Sequence, residues 1–290
     1  VAIDLLTTAR RIDELQEVVL PDLEQWMTRW GASPRSRDRR RRTQVVFTLG
    51  TIWGILLHIV PSHRTLDWRP VLLRLRWSFS QPYDEPSDRF VGDRVEPIRA
   101  ATGDIVEDAL TDAVAAVIAR VGLERATGSR IARRANLTPG AIYGRYATKE
   151  DLLDRAVVTL LGKRFTDDLI ANSYTFTAAD PGTATARIVS GYLSQPREQW
   201  RHFRIETQLA ARHHPRIAAT VNQVQEDALV EYLEALGAGT PEEQRALEIL
   251  GRFVQLTPIG LSFVDLVIPG LQTIDWRGVM VPLLSRAPTS

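Results

Sequence analysis

Thr127-Gly128-Ser129-Arg130-Ile131-Ala132-Arg133-Arg134-Ala135-Asn136-Leu137-Thr138-Pro139-Gly140-Ala141-Ile142-Tyr143-Gly144-Arg145-Tyr146-Ala147-Thr148-Lys149-Glu150-Asp151-Leu152-Leu153 is the stretch that decides the fold. Thr127 is a capping residue, and Ile131, Ala132 and Ala135 mark the inner face of a short helix over 127–134. Asn136-Leu137 makes a tight turn, since asparagine tolerates the left-handed conformation. Thr138 caps a second short helix over 138–145, Pro139 takes its first turn, and Ile142 and Tyr143 follow. Thr148-Lys149-Glu150 opens a longer helix over 149–171, with Leu152 and Leu153 packing inward. Upstream, Val106, Leu110, Ala113, Val114, Val117, Ile118 and Val121 form one apolar stripe over 104–121, and Gly122 stops it. Two short helices joined by a tight turn and clamped by a longer one form a helix-turn-helix. The small Ala132 and Ala135 let the pair approach closely, and the second helix can lay its N-terminal end in the major groove of duplex DNA.

Around this unit the composition is that of an ordinary globular chain. It has 290 residues, 44% hydrophobic and 24% charged, with a net charge of +1. Any nucleic-acid contact must therefore come from a local basic face. There is no cysteine, hence neither disulfide nor thiolate metal site, which fits a reducing cytoplasm. No apolar run is long enough to cross a bilayer, so no membrane partner is expected. Lys149 and Lys163 are the sole lysines among the basic residues, a skew that fits a GC-rich bacterial genome. The chain opens at Val1 inside a helical pattern, which reads as a chain lacking its beginning.

A repeat organises the rest. Thr65-Leu66-Asp67-Trp68-Arg69 matches Thr273-Ile274-Asp275-Trp276-Arg277, and apolar residues follow both. Gly31-Ala32 matches Gly237-Ala238, and Ala9-Arg10 matches Ala211-Arg212, in the same order. Residues 1–80 thus correspond to about 203–290, and the first copy lacks the counterpart of 103–202. Four domains are expected: a headless first helical unit over 1–80, a proline-rich linker over 81–102, the helix-turn-helix over 103–163, and a second helical unit over 164–290.

Helical patterns account for nearly everything else: 1–11, 13–31, 38–59 and 68–78, then 183–194, 196–212, 215–236, 241–266 and 275–285. Thr240-Pro241-Glu242-Glu243 is a strong helix start, and Pro258 should kink the helix it opens. The fold class is all-α.

The stretch 127–153 resembles TetR-type bacterial transcriptional regulators, over about 50 residues with the preceding helix included. Lys149 falls where that signature places its lysine. The resemblance implies a DNA-binding head followed by helical effector and dimerisation domains. It implies that Thr127, Thr138, Tyr143 and Lys149 contact phosphate, and that Arg130, Pro139, Gly140, Ala141 and Gly144 face DNA. Arg145 stands where the family has histidine, and a phosphate contact would survive that change. Gly128 replaces a branched apolar residue and Asn136 a glycine. Pro139, Gly140, Ala141 and Gly144 offer no side chain that can hydrogen-bond a base edge, so modest sequence discrimination is expected, with reliance on phosphate contacts and DNA shape.

The resemblance further implies a pocket for a small apolar effector, with Tyr192, Trp200, Phe203, Gln208 and Phe253 as candidate lining residues or as plain core. It implies a dimerisation pair formed by the last two helices of each unit, which in a fused tandem can close within one chain as a pseudo-dimer or, alternatively, build a homodimer. The arginine run 39–42 reads as a solvated helix end, and His202, His213 and His214 lack the partners of a metal site. No cofactor is expected, and no catalytic constellation is visible. The expected function is a ligand-responsive repressor; the alternative is an interaction-only regulator that binds DNA poorly.

Overall fold

The computed structural model describes residues 12–62, 67–163, 180–236 and 240–285. No strand occurs among the described residues, and the α-helices in chain order are α1 (Asp13–Met27), α2 (Arg39–Ser62), α3 (Arg69–Ser80), α4 (Ile105–Val121), α5 (Gly128–Arg134), α6 (Pro139–Tyr143), α7 (Lys149–Val157), α8 (Pro181–Tyr192), α9 (Glu198–Ala210), α10 (Pro215–Leu236), α11 (Pro241–Val267) and α12 (Arg277–Leu284). Wider π-helical turns prolong α1 through Thr28–Ala32 and α7 through Val158–Lys163. The helix expected over 1–11 and the end of that expected over 149–171 lie outside the described residues, as do Ala9-Arg10 and Gly237-Ala238.

Local chemistry sets the ends of the helices in the head. The Asp104 carboxylate accepts from the Val106 and Glu107 amides at 2.9 and 3.1 Å, opening α4, and Gly122 at φ 78° closes it. The Thr148 hydroxyl accepts from the Asp151 amide at 3.1 Å while the Asp151 carboxylate accepts from the Thr148 amide at 3.0 Å, a reciprocal cap for α7. Leu110, Ile131, Ile142 and Leu152, one from each of α4 to α7, are fully buried together with Ala132. Each such side chain contributes roughly 1.5–3 kcal/mol of burial. On its other side α4 packs against α9, which seats the head on the bundle.

The most extensive helix pairing is between α2 and α11. Small residues make it possible: a β-carbon on Gly260 would fall 1.7 Å from the Gly50 carbonyl oxygen, and one on Gly54 would fall 2.2 Å from that of Leu256. Thr51 and Thr257 hydroxyls meet at 3.2 Å across the contact, and the Phe47 and Phe253 rings at 6.3 Å. Thr51 and Thr257 are 206 positions apart; Phe47 and Phe253, Gly54 and Gly260, and Gly31 and Gly237 keep the same separation. Thr51 and Thr257, Phe47 and Phe253, and Gly54 and Gly260 face each other across the α2–α11 contact, as residues beside a two-fold axis do. Helices α3 and α12 pack on each other and on this pair, completing a four-helix contact. Helix α11 runs through Pro258 as one helix; the buried Leu256, Ile259, Leu261 and Phe263 on both sides hold it to its neighbours across the single backbone bond that proline removes.

The two Asp-Trp-Arg turns are built alike. Each aspartate accepts from the arginine amide two residues on, at 3.0 Å in both, and each tryptophan precedes its helix with near-identical backbone angles, φ −83° and ψ −5° at Trp68, φ −73° and ψ −7° at Trp276. Their surroundings differ. The Arg69 side chain is 85% exposed and the Arg277 side chain 5%. What covers Arg277 is the segment expected to be a linker. It is extended, and it is bound along its length: Arg277 donates to the Asp88 carboxylate at 2.8 Å and lies over the Phe90 ring, the Asp93 amide donates to the Arg187 carbonyl of α8 at 3.3 Å, Ile98 is buried, and the Ala100 amide donates to Asp112 of α4 at 2.9 Å. The segment is a strap over α12, α8 and α4.

Candidate nucleic-acid interface

The described head presents α5 and α6 as a helix-turn-helix, with the turn made by Asn136 at φ 57°. Thr127 is exposed at the start of α5, its hydroxyl accepting from the Arg130 amide at 3.4 Å. Thr138 occupies the matching position before α6 with extended backbone angles, but its side chain makes no capping bond, so its exposed hydroxyl is left for other partners. Gly140 is exposed, Ala141 half-buried, and Tyr143 62% exposed beside them. The space for a β-carbon on Gly128 is bounded by the Tyr143 hydroxyl at 3.4 Å. That is ordinary contact distance, so a β-carbon at 128 has room beside Tyr143.

Two expected contacts are altered by their neighbours. Arg145 is exposed, but its guanidinium lies 2.6 Å from the Asp104 carboxylate, whose own pKa is held down by the Glu107 amide and then by Arg145. A phosphate must compete with Asp104 for it. Lys149 is half-buried and lines a crevice of about 150 Å³ between α7 and the start of α10, rather than standing free on the α6 side.

The electrostatics of the face favour a polyanion. From Arg120 to Lys149 the sequence holds seven basic residues and one acid, Glu124. Arg133 and Arg134 were not among the expected contacts, yet both are exposed in the last turn of α5, three and four positions beyond Arg130 and hence on its side of the helix. Their signal was present: cations flank the buried Ile131 and Ala132 on both sides. The Arg130 guanidinium also donates to the Arg125 carbonyl at 2.9 Å, which fixes its stem.

Ion pairs tie this head to the bundle. Arg216, at the start of α10, reaches Asp151 at 2.6 Å and also bonds Asp154; the Thr220 hydroxyl donates to Asp154 at 3.1 Å, and His214 lies 2.7 Å from Glu124. Arg216 holds the Asp151 carboxyl below its usual range. Among the described residues no cluster of acids and histidines could hold a metal.

Of the five candidate effector residues, Tyr192, Trp200 and Gln208 gather around Arg204, which donates to the Tyr192 hydroxyl at 3.3 Å, lies over the Trp200 ring and lines one space with Gln208. Tyr192 and Trp200 pack edge to face at 5.6 Å, the Trp200 indole donates to the Leu160 carbonyl at 2.9 Å, and Phe203 is fully buried. Phe253 faces Phe47 across the α2–α11 contact. Gln208 lines an internal space of about 10 Å³ with Arg204, Leu161, Val221 and Val224. Its Oε1 is buried without a hydrogen-bond partner.

The family model described as bacterial regulatory proteins, tetR family, matches residues 110–156. A second model, described as the E2 domain of amyloid precursor protein, matches residues 197–258, across α9, α10 and part of α11, and nothing in the functional reading rests on it. No curated protein matches the chain. Among solved structures, a transcriptional regulator from Rhodococcus sp. Rha1 is similar at 24% identity, with 61% of this chain and 92% of that one covered and a TM-score of 0.46, a superposition too loose to carry an argument. The family match lies over the folded helix-turn-helix, from inside α4 to inside α7, and over these residues the chain is similar to the bacterial regulatory proteins of the tetR family.

Proposed function

We propose that the chain is a ligand-responsive transcriptional repressor with one DNA-binding head, built as a tandem of two regulator units whose dimerisation helices pair within a single chain. The observation that carries the DNA-binding part is the exposed α5–α6 face, rich in cations, lying within the segment that matches the family model. Thr127, Arg130, Thr138 and Tyr143 are assigned to phosphate and groove contacts, with Gly140 and Ala141 allowing close approach and Arg133 and Arg134 added from the structure. The pairing of Thr51 with Thr257 and of Phe47 with Phe253 supports the tandem, because a repeat folded on itself places equivalent residues on its axis.

The effector step follows from the small space at Gln208. A space of about 10 Å³ admits roughly one water. A small apolar effector must therefore open it by parting Leu161, just beyond α7, from Val221 and Val224 on α10. Helix α7 begins in the head and is tied to α10 by Arg216, so opening the space shifts the head. The ligand acts by preferring the opened state, and a difference of a few kcal/mol in its affinity for the two states is sufficient. A second reading, a regulator working through protein contacts with little DNA affinity, is favoured by the ion pair that occupies Arg145.

Fluorescence anisotropy with a labelled duplex tests the choice. On the first reading binding weakens steeply with salt, and removing a phosphate-contacting cation such as Arg130 lowers the log–log slope by about 1. Binding that is absent at low salt, or indifferent to Arg130→Ala and Arg133→Ala together, would favour the second reading.

A further inference from the structure

We propose that the cleft between the start of α2 and the strap is a binding site for a small phosphate-bearing molecule, separate from both the DNA face and the space at Gln208. The cleft has a volume of about 920 Å³ and three walls: residues 34–43, the strap over 83–92, and the turn 272–278 leading into α12. Arg35, Arg39, Arg40 and Arg42 line it from one side and Arg89 from another. Among the described residues none of these five forms an ion pair. Of the acids on its walls, Asp88 and Asp275 are committed to Arg277, which leaves Glu85. The surplus is positive, and the expectation of a merely solvated arginine end is corrected: Arg40 and Arg42 are half-buried.

Three polar atoms at this cleft are buried without a hydrogen-bond partner: Nε of Arg40, Nε of Arg42 and the hydroxyl of Tyr83. Burial lowers the pKa of Arg42 and pushes Tyr83 up to about 12, with Asp275 adding to the latter. The arrangement is also wrong for α2 itself. Cations crowd the positive end of a long helix with no acid in its first turn, a cost of roughly 0.3–1 kcal/mol each, offset in part by Asp38, which accepts from the Arg41 amide at 2.8 Å. A bound anion would remove that cost and give the guanidinium forks planar acceptors. Tyr83 and Phe90 add ring faces beside them.

The size selects among anions. A space of this volume falls in the range of small-molecule sites, roughly 10 Å across, narrower than a DNA duplex. Because its walls come from both units and from the strap, an occupant clamps them together and stabilises the folded chain by mass action.

Calorimetric titration of the full chain with ATP and with inorganic pyrophosphate, adenosine serving as the uncharged control, tests this. We expect both anions to bind and raise the melting temperature, and adenosine to do neither. Arg40→Ala with Arg42→Ala should weaken binding about tenfold or more. Arg39→Glu, at an exposed rim position, should weaken it several-fold without lowering the ligand-free melting temperature, and decides the matter if the double variant does not fold. Arg133→Ala, which alters the DNA face, should leave ATP binding intact, so this proposal and the DNA-binding reading fail separately. No binding of either anion at millimolar concentration, binding indifferent to the cleft variants, or displacement of ATP by duplex DNA in the Arg133→Ala protein would overturn it.

Discussion

The turns at Asp67-Trp68-Arg69 and Asp275-Trp276-Arg277 share their sequence, their hydrogen bond and their backbone angles, and in both the tryptophan Nε1 is buried without a partner. Their arginines nevertheless end at opposite extremes of exposure. Three residues on, Leu72 is 42% exposed and Met280 3%. Local sequence fixes the turn; the layer added over it fixes the burial. The second turn has the strap and α8 above it, and a β-carbon on Gly182 of α8 would lie 2.4 Å from the Val281 α-carbon, so close is that cover. Helix α3 has no described counterpart of α8.

If cover is the difference, equivalent substitutions must have unequal effects. Met280→Asp, which puts a charge into a closed interior, should cost about 4 kcal/mol or abolish folding, whereas Leu72→Asp should be tolerated; urea denaturation of the two variants side by side would show it. At the α2–α11 crossing, Gly260→Ala should cost about 3 kcal/mol, because its methyl meets the Gly50 backbone rather than a side chain that can turn away. Arg277→Ala should cost about 2 kcal/mol by leaving the Asp88 and Asp275 bonds unmade, against less than about 0.5 kcal/mol for Arg69→Ala. Proteolysis within 81–102 should also accelerate in Arg277→Ala and not in Arg69→Ala. The smallest effect on stability belongs to Arg133→Ala, within about 0.5 kcal/mol, while its salt dependence of duplex binding falls by about one unit of slope.

Much of this was legible in the residues. The helix-turn-helix was readable because capping threonines, a turn asparagine and small inner-face alanines act locally, and α10 spans Pro215–Leu236 as its pattern predicts. The likeness of the two Asp-Trp-Arg turns was visible, but the pairs that face each other across α2 and α11, Thr51 with Thr257 and Gly54 with Gly260, were not singled out. Their partners are some two hundred residues away, and neither threonine nor glycine marks a helix crossing by itself. The strap escaped because proline-rich extended chain has one sequence signature whether bound or free; its binding depends on Arg277, whose character is identical to that of Arg69 until the fold is known. The site residues fared unevenly for a related reason. Thr127 and Tyr143 stand exposed on the helix-turn-helix, whereas Arg145 is paired with Asp104 and Lys149 lines a crevice beside the start of α10. Of the effector candidates, Tyr192, Trp200, Phe203 and Phe253 offered only aromatic bulk, which fits core and pocket equally, and all four are buried.

Selection from a random duplex library with the full chain, at low and moderate salt, tests the central claim most directly. One head on an internally paired chain predicts enrichment of a single short half-site, bound by one chain. A palindrome bound by two chains would contradict the internal pairing, and no enrichment at either salt would contradict sequence-reading DNA binding by this head.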